Sequence, residues 1–362
     1  MKSRVRVAVN GYGATGKRVA DAVREQDDME LVGVADVATD FRIRMASNLG
    51  IDMYATVPGE ANAMREAGIL LAGMLEDLIG KTDVVVDATP KGVGARNWPL
   101  YQRMGVKAVF QGGEKHELTG HSFVAEANYT SALGRETTRI VSPDTAAIVR
   151  TLGALRKAGL LKRASGVLIR RVADPWNSDQ EGIVNTLVPE PDIPSPEAPE
   201  AKSVLPDLEV VTMAAQAPIN LSDCHFWTVQ LTPGTTRDQV IAAFRGERRI
   251  LFIQARDGVA ALNSTVTMMR DLGRPRGDMW EVGLWEDILR VRGDELYYTY
   301  QVDSKATIVP ENIDAIRALT GIERNAERSM TKTDEALGML GPYLPFFEQV
   351  RAYENTAGAM GG

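Results

Sequence analysis

V-A-V-N-G-Y-G-A-T-G, residues 7–16, sets the fold of this chain. A β-branched apolar run ends in Gly11-x-Gly13-x-x-Gly16, and helix-compatible sequence follows over 17–24. The order is strand, glycine turn, helix. The first glycine allows the tight turn, the second lets a pyrophosphate approach the backbone, and the third lets helix and strand pack closely. The helix N-terminus then offers free N–H groups and a favourable dipole to phosphate. A bare glycine pattern says little, but here a second apolar strand, 30–34, leads into Asp36. A carboxylate about 20 residues beyond the last glycine is placed to accept from an adenosine ribose 2′-OH. The stretch therefore predicts a dinucleotide-binding α/β domain that takes NAD, with NADP as the alternative.

The 362-residue chain is long enough for two domains. Its 44% hydrophobic and 25% charged content is that of an ordinary globular protein, and its net charge of −7 disfavours a nucleic-acid surface. No run of about 18 apolar residues suggests a membrane span. M-K-S-R-V-R enters a strand without an apolar leader, so the cytoplasm is the expected compartment. A single cysteine, Cys224, cannot form an intrachain disulfide, and with three histidines, His116, His121 and His225, no metal centre is expected.

Strands and helices alternate from the start to about residue 141. The strand 82–87 ends in Ala88-Thr89-Pro90-Lys91-Gly92, and the strand 106–110 ends in Gln111-Gly112-Gly113-Glu114-Lys115-His116. Ligands of open α/β sheets lie beyond such strand ends. The expected cofactor set is therefore Gly11, Tyr12, Gly13, Ala14, Thr15, Gly16, Asp36, Thr89, Pro90, Gln111, Gly112 and Gly113, joined by Asn312. A helix from Ala146 has Asp144 or Thr145 as its natural cap. The pattern then changes. Strands are expected at 166–171, 208–214, 225–231 and 249–254, forming a largely antiparallel sheet with helices such as 236–244 on one face. The Pro, Glu and Ala-rich stretch 189–206 reads as a surface loop. Pro310 followed by acids marks a late helix that returns to the first domain. The expected division is 1–141 for the Rossmann domain, 142–303 for the α+β catalytic domain, 304–345 for returning helices and 355–362 for a flexible tail.

Several stretches together carry a resemblance. They are N-G-Y-G-x-x-G-K-R-V-A-D-A-V at Asn10, D-A-T-P-K-G-V-G-A at Asp87, F-Q-G-G-E-K-H-E at Phe110, R-R-V-A-D-P at Arg170, L-G-R-P-R at Leu272 and V-P-E-N-I-D-A-I-R-A at Val309. Over nearly its full length the chain resembles the archaeal-type (type II) glyceraldehyde-3-phosphate dehydrogenases. The resemblance implies a nicotinamide-binding Rossmann domain, an α+β catalytic domain, a C-terminal helix docked on the first domain, and a homotetramer, with a homodimer as the alternative. It also implies a nucleophile in a Ser-Cys-Asn-Thr motif, where this chain has Ser142-Pro143-Asp144-Thr145. The His-His pair of a P-S-H-H-G-P stretch is replaced by Pro194-Ser195-Pro196-Glu197-Ala198-Pro199, and an M-H-Q-H-N loop by Ser222-Asp223-Cys224-His225-Phe226. Proline has no thiol, so a covalent thioester is not expected there.

Hydride transfer needs no cysteine, only a cofactor in place and a proton donor at the carbonyl oxygen. His225 is the leading donor, since its pKa in water lies near the physiological range. Asp144 is either catalytic or a helix cap, and Asp223 pairs with His225, pairs with Arg171 or is a solvated turn residue. Lys115 either polarises a carbonyl or is a surface lysine. For substrate binding, Ser142 and Thr145 are expected beside Arg170 and Arg171. By alternation one arginine points inward, and by resemblance one binds an anionic group. Cys224 beside His225 is a weak candidate for a relocated thiol, because neighbours on a strand face opposite ways. The expected protein is an NAD(P)-dependent oxidoreductase that transfers a hydride between an alcohol and a ketone or aldehyde on a small anionic substrate, a phosphorylated one included, without a thioester. A regulatory homologue that binds the nucleotide without turnover is the first rival, and an aldehyde dehydrogenase using Cys224 the second.

Overall fold

The computed structural model describes residues 4–111, 113–172, 183 and 185–339. The first half alternates β1 (Val5–Asn10), α1 (Ala14–Arg24), β2 (Met29–Asp36), α2 (Phe41–Asn48), β3 (Met53–Ala55), α3 (Pro58–Glu66), β4 (Leu71–Met74) and α4 (Leu75–Ile79). It continues with β5 (Val84–Asp87), α5 (Val93–Met104), β6 (Lys107–Phe110), α6 (His116–Thr119), β7 (Ser122–Phe123), α7 (Ala125–Asn128) and β8 (Thr137–Ile140). These eight strands form one parallel sheet of order β4-β3-β2-β1-β5-β6-β8-β7. The order reverses at β1, with β2 on one side and β5 on the other. That switch point is where an open α/β sheet leaves a crevice at its carboxyl edge. Val7, Val9, Val84, Val85 and Val86 are wholly buried, as strands covered on both faces require. This is a Rossmann domain.

α8 (Pro143–Lys157) leads into the second sheet. Its elements are β9 (Leu161–Arg171), β10 (Val188–Pro189), α9 (Glu197–Lys202), β11 (Val210–Ala217), β12 (Ser222–Leu231), α10 (Arg237–Arg245), β13 (Ile250–Ile253), α11 (Leu262–Asp271), β14 (Val282–Trp285), β15 (Arg290–Arg292) and β16 (Glu295–Asp303). The order is β10-β11-β9-β12-β16-β14-β13, with β15 on β16. The sheet is largely antiparallel, as expected, with five antiparallel strand pairs and two parallel ones. β9 with β11 and β13 with β14 run parallel, because α9 and α11 provide the crossovers that parallel neighbours need. α8 and α10 pack against this sheet, giving an α+β domain of the type expected.

Two sequence expectations change. Residues 189–206 are not a plain surface loop, because α9 lies within them and Ser195, Glu197, Ala198, Ala201 and Val204 are buried. Proline and glutamate are frequent there, yet prolines suit the first turn of a helix and alanines its buried side. α8 begins at Pro143, not Ala146, and Ser142 is its cap, accepting from the Thr145 N–H at 3.2 Å. The expected tail at 355–362 lies outside the described residues.

α12 (Val309–Thr320) and α13 (Ala326–Ala336) close the described chain. α12 is buried along almost its whole length and ties the two sheets together. Its Glu311 accepts from Arg150 of α8 at 2.6 Å and from Arg249 at 3.1 Å, and Arg249 also reaches Asp314 and Asp334. Its Arg317 donates to Asp28 and Gln26 of the first domain at 2.9 and 2.7 Å. Buried charges of this kind are costly unless paired and hydrogen-bonded, and here they are.

Candidate active site

At the carboxyl end of β1 the backbone leaves room for a ligand at one glycine and for none at its neighbours. Gly11 has φ +91°, and a Cβ there would lie 2.7 Å from the Ala88 carbonyl group. A Cβ on Gly16 would meet the Gly11 carbonyl oxygen at 1.8 Å. A Cβ on Gly13 meets nothing within 4 Å. The outer glycines therefore pack strand, loop and helix, and the middle one faces open space, as a pyrophosphate cradle requires. Gly13 caps α1 with no side-chain acceptor, so the first N–H groups at Ala14 and Thr15 are available to an anion. Asp36 ends β2. Its Oδ2 accepts from the Tyr12 N–H at 2.6 Å, and its Oδ1 from the N–H groups of Val37 and Ala38 at 2.7 and 2.9 Å. Three backbone donors fix the carboxylate beside the glycine turn. Tyr12 is buried, and the Lys17 ammonium lies 5.2 Å from its ring centre.

The other strand-end loops meet the same edge. Thr89 folds back on Asp87 through its N–H and hydroxyl, with Pro90 next in the loop. The Gly92 N–H donates to Glu114 Oε1 at 2.8 Å, which ties the loop after β5 to the loop after β6. A Cβ on Gly113 would stand 3.5 Å from Lys91 Cα. Gly112 lies outside the described residues. Gln111 donates to Asn312 Oδ1 at 2.7 Å, and Asn312 in turn donates to the Ile308 carbonyl at 2.9 Å. Gln111 Oε1 is buried with no partner among the described residues. An unmatched acceptor at a cofactor edge suits a carboxamide N–H, and the glycine cradle suits a pyrophosphate. The residues present fit a nicotinamide dinucleotide.

β8 pairs directly with β6, so the start of α8 stands at the same carboxyl edge as Gln111. Pro143 occupies the first helical position, where its missing N–H costs nothing. Asp144 follows and is buried, and its Oδ1 lies 3.0 Å from His225 Nε2. His225 Nδ1 lies 3.0 Å from the Tyr300 hydroxyl. His225 and Tyr300 are register partners on β12 and β16, which explains why the phenol reaches the ring. Asp223, two residues before His225, faces the same side. Its Oδ1 accepts from the Arg171 N–H at 2.6 Å, and its carboxyl group is near enough to that of Asp144 for the two charges to act on each other.

Burial decides the protonation of this group. It pushes Asp144 up to about 7, helped by the charge of Glu197 and opposed by Arg170. Burial, then the charge of Asp144, pushes Asp223 up to about 8. Burial pushes His225 down to about 4, so its ring is neutral near pH 7. Two carboxyl groups that feel each other's charge in a poorly solvated site cannot both ionise easily, and the pair retains a proton at neutral pH. The arrangement is an acid pair, Asp144 and Asp223, backed by a neutral imidazole and a phenol.

The expected site residues sort accordingly. His225, Asp144 and Asp223 come together, but His225 is wholly buried with both ring nitrogens engaged, so it orients Asp144 instead of offering a free nitrogen to a substrate. Lys115 is exposed at the N-terminal cap of α6. Ser142 caps α8, and Thr145 is buried with its hydroxyl on Glu200, so neither presents an open donor. Glu200 also accepts from Arg139 at 2.6 Å. Arg170 shares the inward face of β9 with Leu168, the partner of His225, and its guanidinium is held by Glu190 and Glu197. Arg171 follows, half-buried, its main chain on Asp223. Cys224 faces away from His225 toward Ile253 and Trp285, and burial pushes its thiol up to about 12. Sequence reading missed Glu190, Glu197, Glu200 and Tyr300. The acids lie in the stretch that reads as a loop, and the only available signal was two glutamates three apart, Glu197 and Glu200, matching one helix turn.

Residues 5–118 match the family model described as dihydrodipicolinate reductase, N-terminus. The whole chain is similar to proteins named glyceraldehyde-3-phosphate dehydrogenase. The one from Methanobrevibacter smithii is 40% identical over 336 residues, 92% of this chain and 99% of the relative. Those from Methanothermus fervidus and Methanothermobacter thermautotrophicus are each 39% identical, over 335 and 337 residues, covering 92% and 93% of this chain and 99% and 100% of the relatives.

Proposed function

The chain belongs to the archaeal-type glyceraldehyde-3-phosphate dehydrogenase family, and on that premise we propose that it interconverts an alcohol and a ketone or aldehyde on a small polar substrate, without a thioester. The observation that carries this reading is the buried Asp144–His225–Tyr300 chain at the start of α8, with the carboxyl group of Asp223 near enough for the charge of Asp144 to oppose its ionising. Membership of the family makes the protein an NAD(P)-dependent oxidoreductase. The phosphorylated triose in the relatives' name sets the class from which a substrate search starts.

Gly11, Gly13, Gly16 and Asp36 would hold the pyrophosphate and adenosine ribose, and Gln111 with Asn312 the carboxamide. When bound, the nicotinamide supplies or accepts the hydride. The chain's own residues manage the proton. Protonated Asp144 donates to the substrate oxygen in the reducing direction and takes the proton back in the oxidising one. Asp223, the neighbouring carboxyl group whose pKa is also raised, is the reserve from which Asp144 regains its proton. His225 fixes the Asp144 carboxyl, and Tyr300 fixes His225. Burial supports a role for a carboxylic acid that stays protonated near neutrality, a condition general acids need. Cys224 takes no part.

The test is a screen of small phosphorylated and carboxylated alcohols for NADH formation, with Asp144→Asn as control. Turnover that vanishes in Asp144→Asn while NAD binding persists supports the reading. Acyl phosphate formed from glyceraldehyde 3-phosphate, phosphate and NAD would overturn it.

We also propose that the protein is a homo-oligomer, a tetramer or dimer, assembled through the outer face of the second sheet. Met213, Val167 and Phe226 stand in register on three adjacent strands and are 49%, 42% and 49% exposed. A second copy placing the same row across this one would bury it symmetrically. Sedimentation of a Val167→Glu/Phe226→Glu variant, which should be smaller than the parent assembly, tests this.

A further inference from the structure

Arg170 is the penultimate residue of β9, and two carboxylates occupy its guanidinium. Nε donates to Glu190 Oε1 at 3.0 Å, Nη2 donates to the same oxygen, and Nη1 donates to Glu197 Oε1. Three of the roughly five N–H donors of an arginine are thereby used. Both acids are held from behind. The Glu190 N–H pairs with the Ala214 carbonyl at 2.9 Å, where β10 runs beside β11. Glu197 opens α9, and its Oε2 accepts from the wholly buried Ser195 hydroxyl at 2.5 Å. With that proton committed to Glu197, Ser195 Oγ accepts from the Thr212 hydroxyl 2.8 Å away. The side chains of Arg170, Glu190 and Glu197 are 25%, 17% and 5% exposed among the described residues, so the cluster is reached from the side of Arg170 and Glu190, with Glu197 beneath. One cation against two anions leaves the cluster with a formal charge of −1. Asp144 is close enough to feel both signs, since Glu197 raises its pKa and Arg170 lowers it.

We propose that Glu190 and Glu197 are specificity-determining residues that exclude phosphate from the end of β9 and make it a subsite for an uncharged, hydroxyl-bearing part of the substrate. This rests on the dehydrogenase reading and narrows it. An arginine recognises phosphate with a planar edge of two N–H groups. In Arg170 the Nε–Nη2 edge is filled by Glu190, and the Nη1 side by Glu197. A phosphate would either displace a carboxylate or take the remaining N–H groups, and in both cases it would sit beside glutamate charges in a poorly solvated place, where like charges repel strongly. A hydroxyl meets no such barrier. It can accept from an unused Arg170 N–H and donate to a glutamate oxygen. A substrate that carries an anionic end therefore directs that end away from β9.

The experiment measures binding of inorganic phosphate to the full chain with NAD present, by phosphorus NMR and by thermal shift. Neither readout needs turnover, so a protein that oxidises no alcohol can still answer the question. The parent protein should show no saturable phosphate binding in the millimolar range. Glu190→Gln/Glu197→Gln, which keeps shape and removes both charges, should bind phosphate at least about tenfold tighter. Adding Arg170→Ala should abolish that gain. Saturable binding by the parent protein that Arg170→Ala removes would overturn the proposal, as would a folded double variant with no gain. Should the double variant fail to fold, Glu190→Gln alone must still gain affinity, and the absence of a gain there counts against the proposal equally.

Discussion

Replacing Asp144 by asparagine should make the protein less sensitive to alkali, and the size of the effect follows from burial. The native carboxyl titrates at about 7, against an ordinary value near 3.8. Between those values the native state holds a proton that the unfolded chain has released. Stability therefore falls as pH rises through this window and is flat above it. At about 1.4 kcal/mol per pH unit, the full loss is about 4 kcal/mol. Asp223, which titrates at about 8, shares the proton, so the window belongs to the pair and its upper edge extends toward 8. The asparagine side chain of Asp144→Asn keeps the shape and can still hydrogen-bond His225, but has no proton to lose. Urea unfolding of both proteins from pH 4 to pH 8 should show the asparagine variant gaining on its parent by about 2–4 kcal/mol across the range, most of it by pH 7. Turnover should fall about 10²–10⁴-fold over the same range. Two stability curves that run parallel, whatever their offset, would refute the raised carboxyl and with it the proposed acid. In the parent protein, reduction should weaken above about pH 7–8 as the pair ionises, while oxidation strengthens.

NAD(H) should bind tighter than NADP(H) because the carboxylate of Asp36 repels a 2′-phosphate, and Asp36→Ala should narrow the gap in a binding titration; equal affinities in the parent protein would sink this. Cys224→Ser should leave turnover near the parent level, and a loss of about three orders of magnitude, the scale of losing a nucleophile, would return the thiol to the mechanism. His225→Asn should lower kcat about 10–100-fold with little change in NAD affinity, and should shift the pH limb assigned to Asp144, which a merely structural histidine would not do. A limb that stays in place would detach His225 from the acid pair.

The first domain was legible because its signals are local. Three glycines with fixed spacing, an acid at the end of the next strand and buried valine runs each act within a few residues, and each stands where it was expected. The second sheet was legible only as a set of strands. Its parallel pairs depend on α9 and α11, and α9 was hidden in a proline- and glutamate-rich stretch whose burial no local pattern announces. The acid pair was half legible. His225, Asp144 and Asp223 could be named from their positions in matched motifs, but the direction of their chemistry could not. That direction depends on Tyr300, 75 residues from His225, which takes the second ring nitrogen and turns the histidine from donor into support. It depends equally on Glu197, whose charge reaches Asp144 from an element not seen in the sequence.

The residues at the start of α8 and around it make physical sense as a set. A carboxyl group at a helix N-terminus would ordinarily be ionised by the dipole and the free N–H groups there. Ser142 takes the Thr145 N–H, Pro143 has none, and Glu200 accepts from the Thr145 hydroxyl, so the usual donors to an N-terminal carboxylate are reduced before Asp144 is reached. Asp223 and Glu197 then oppose the charge of Asp144, while the buried ring of His225 offers it a neutral partner. Arg170, the cation that could have ionised it, is committed to Glu190 and Glu197. Holding such a helix end in place needs anchorage elsewhere, and Arg150, on the same helix, is locked to Glu311 of α12 at 2.6 Å. The same α12 carries Asn312, which holds Gln111 at the cofactor edge. One buried helix thus fixes the distance between the cofactor loop and the acid pair, and a shift of α12 would move both partners of the proposed reaction together.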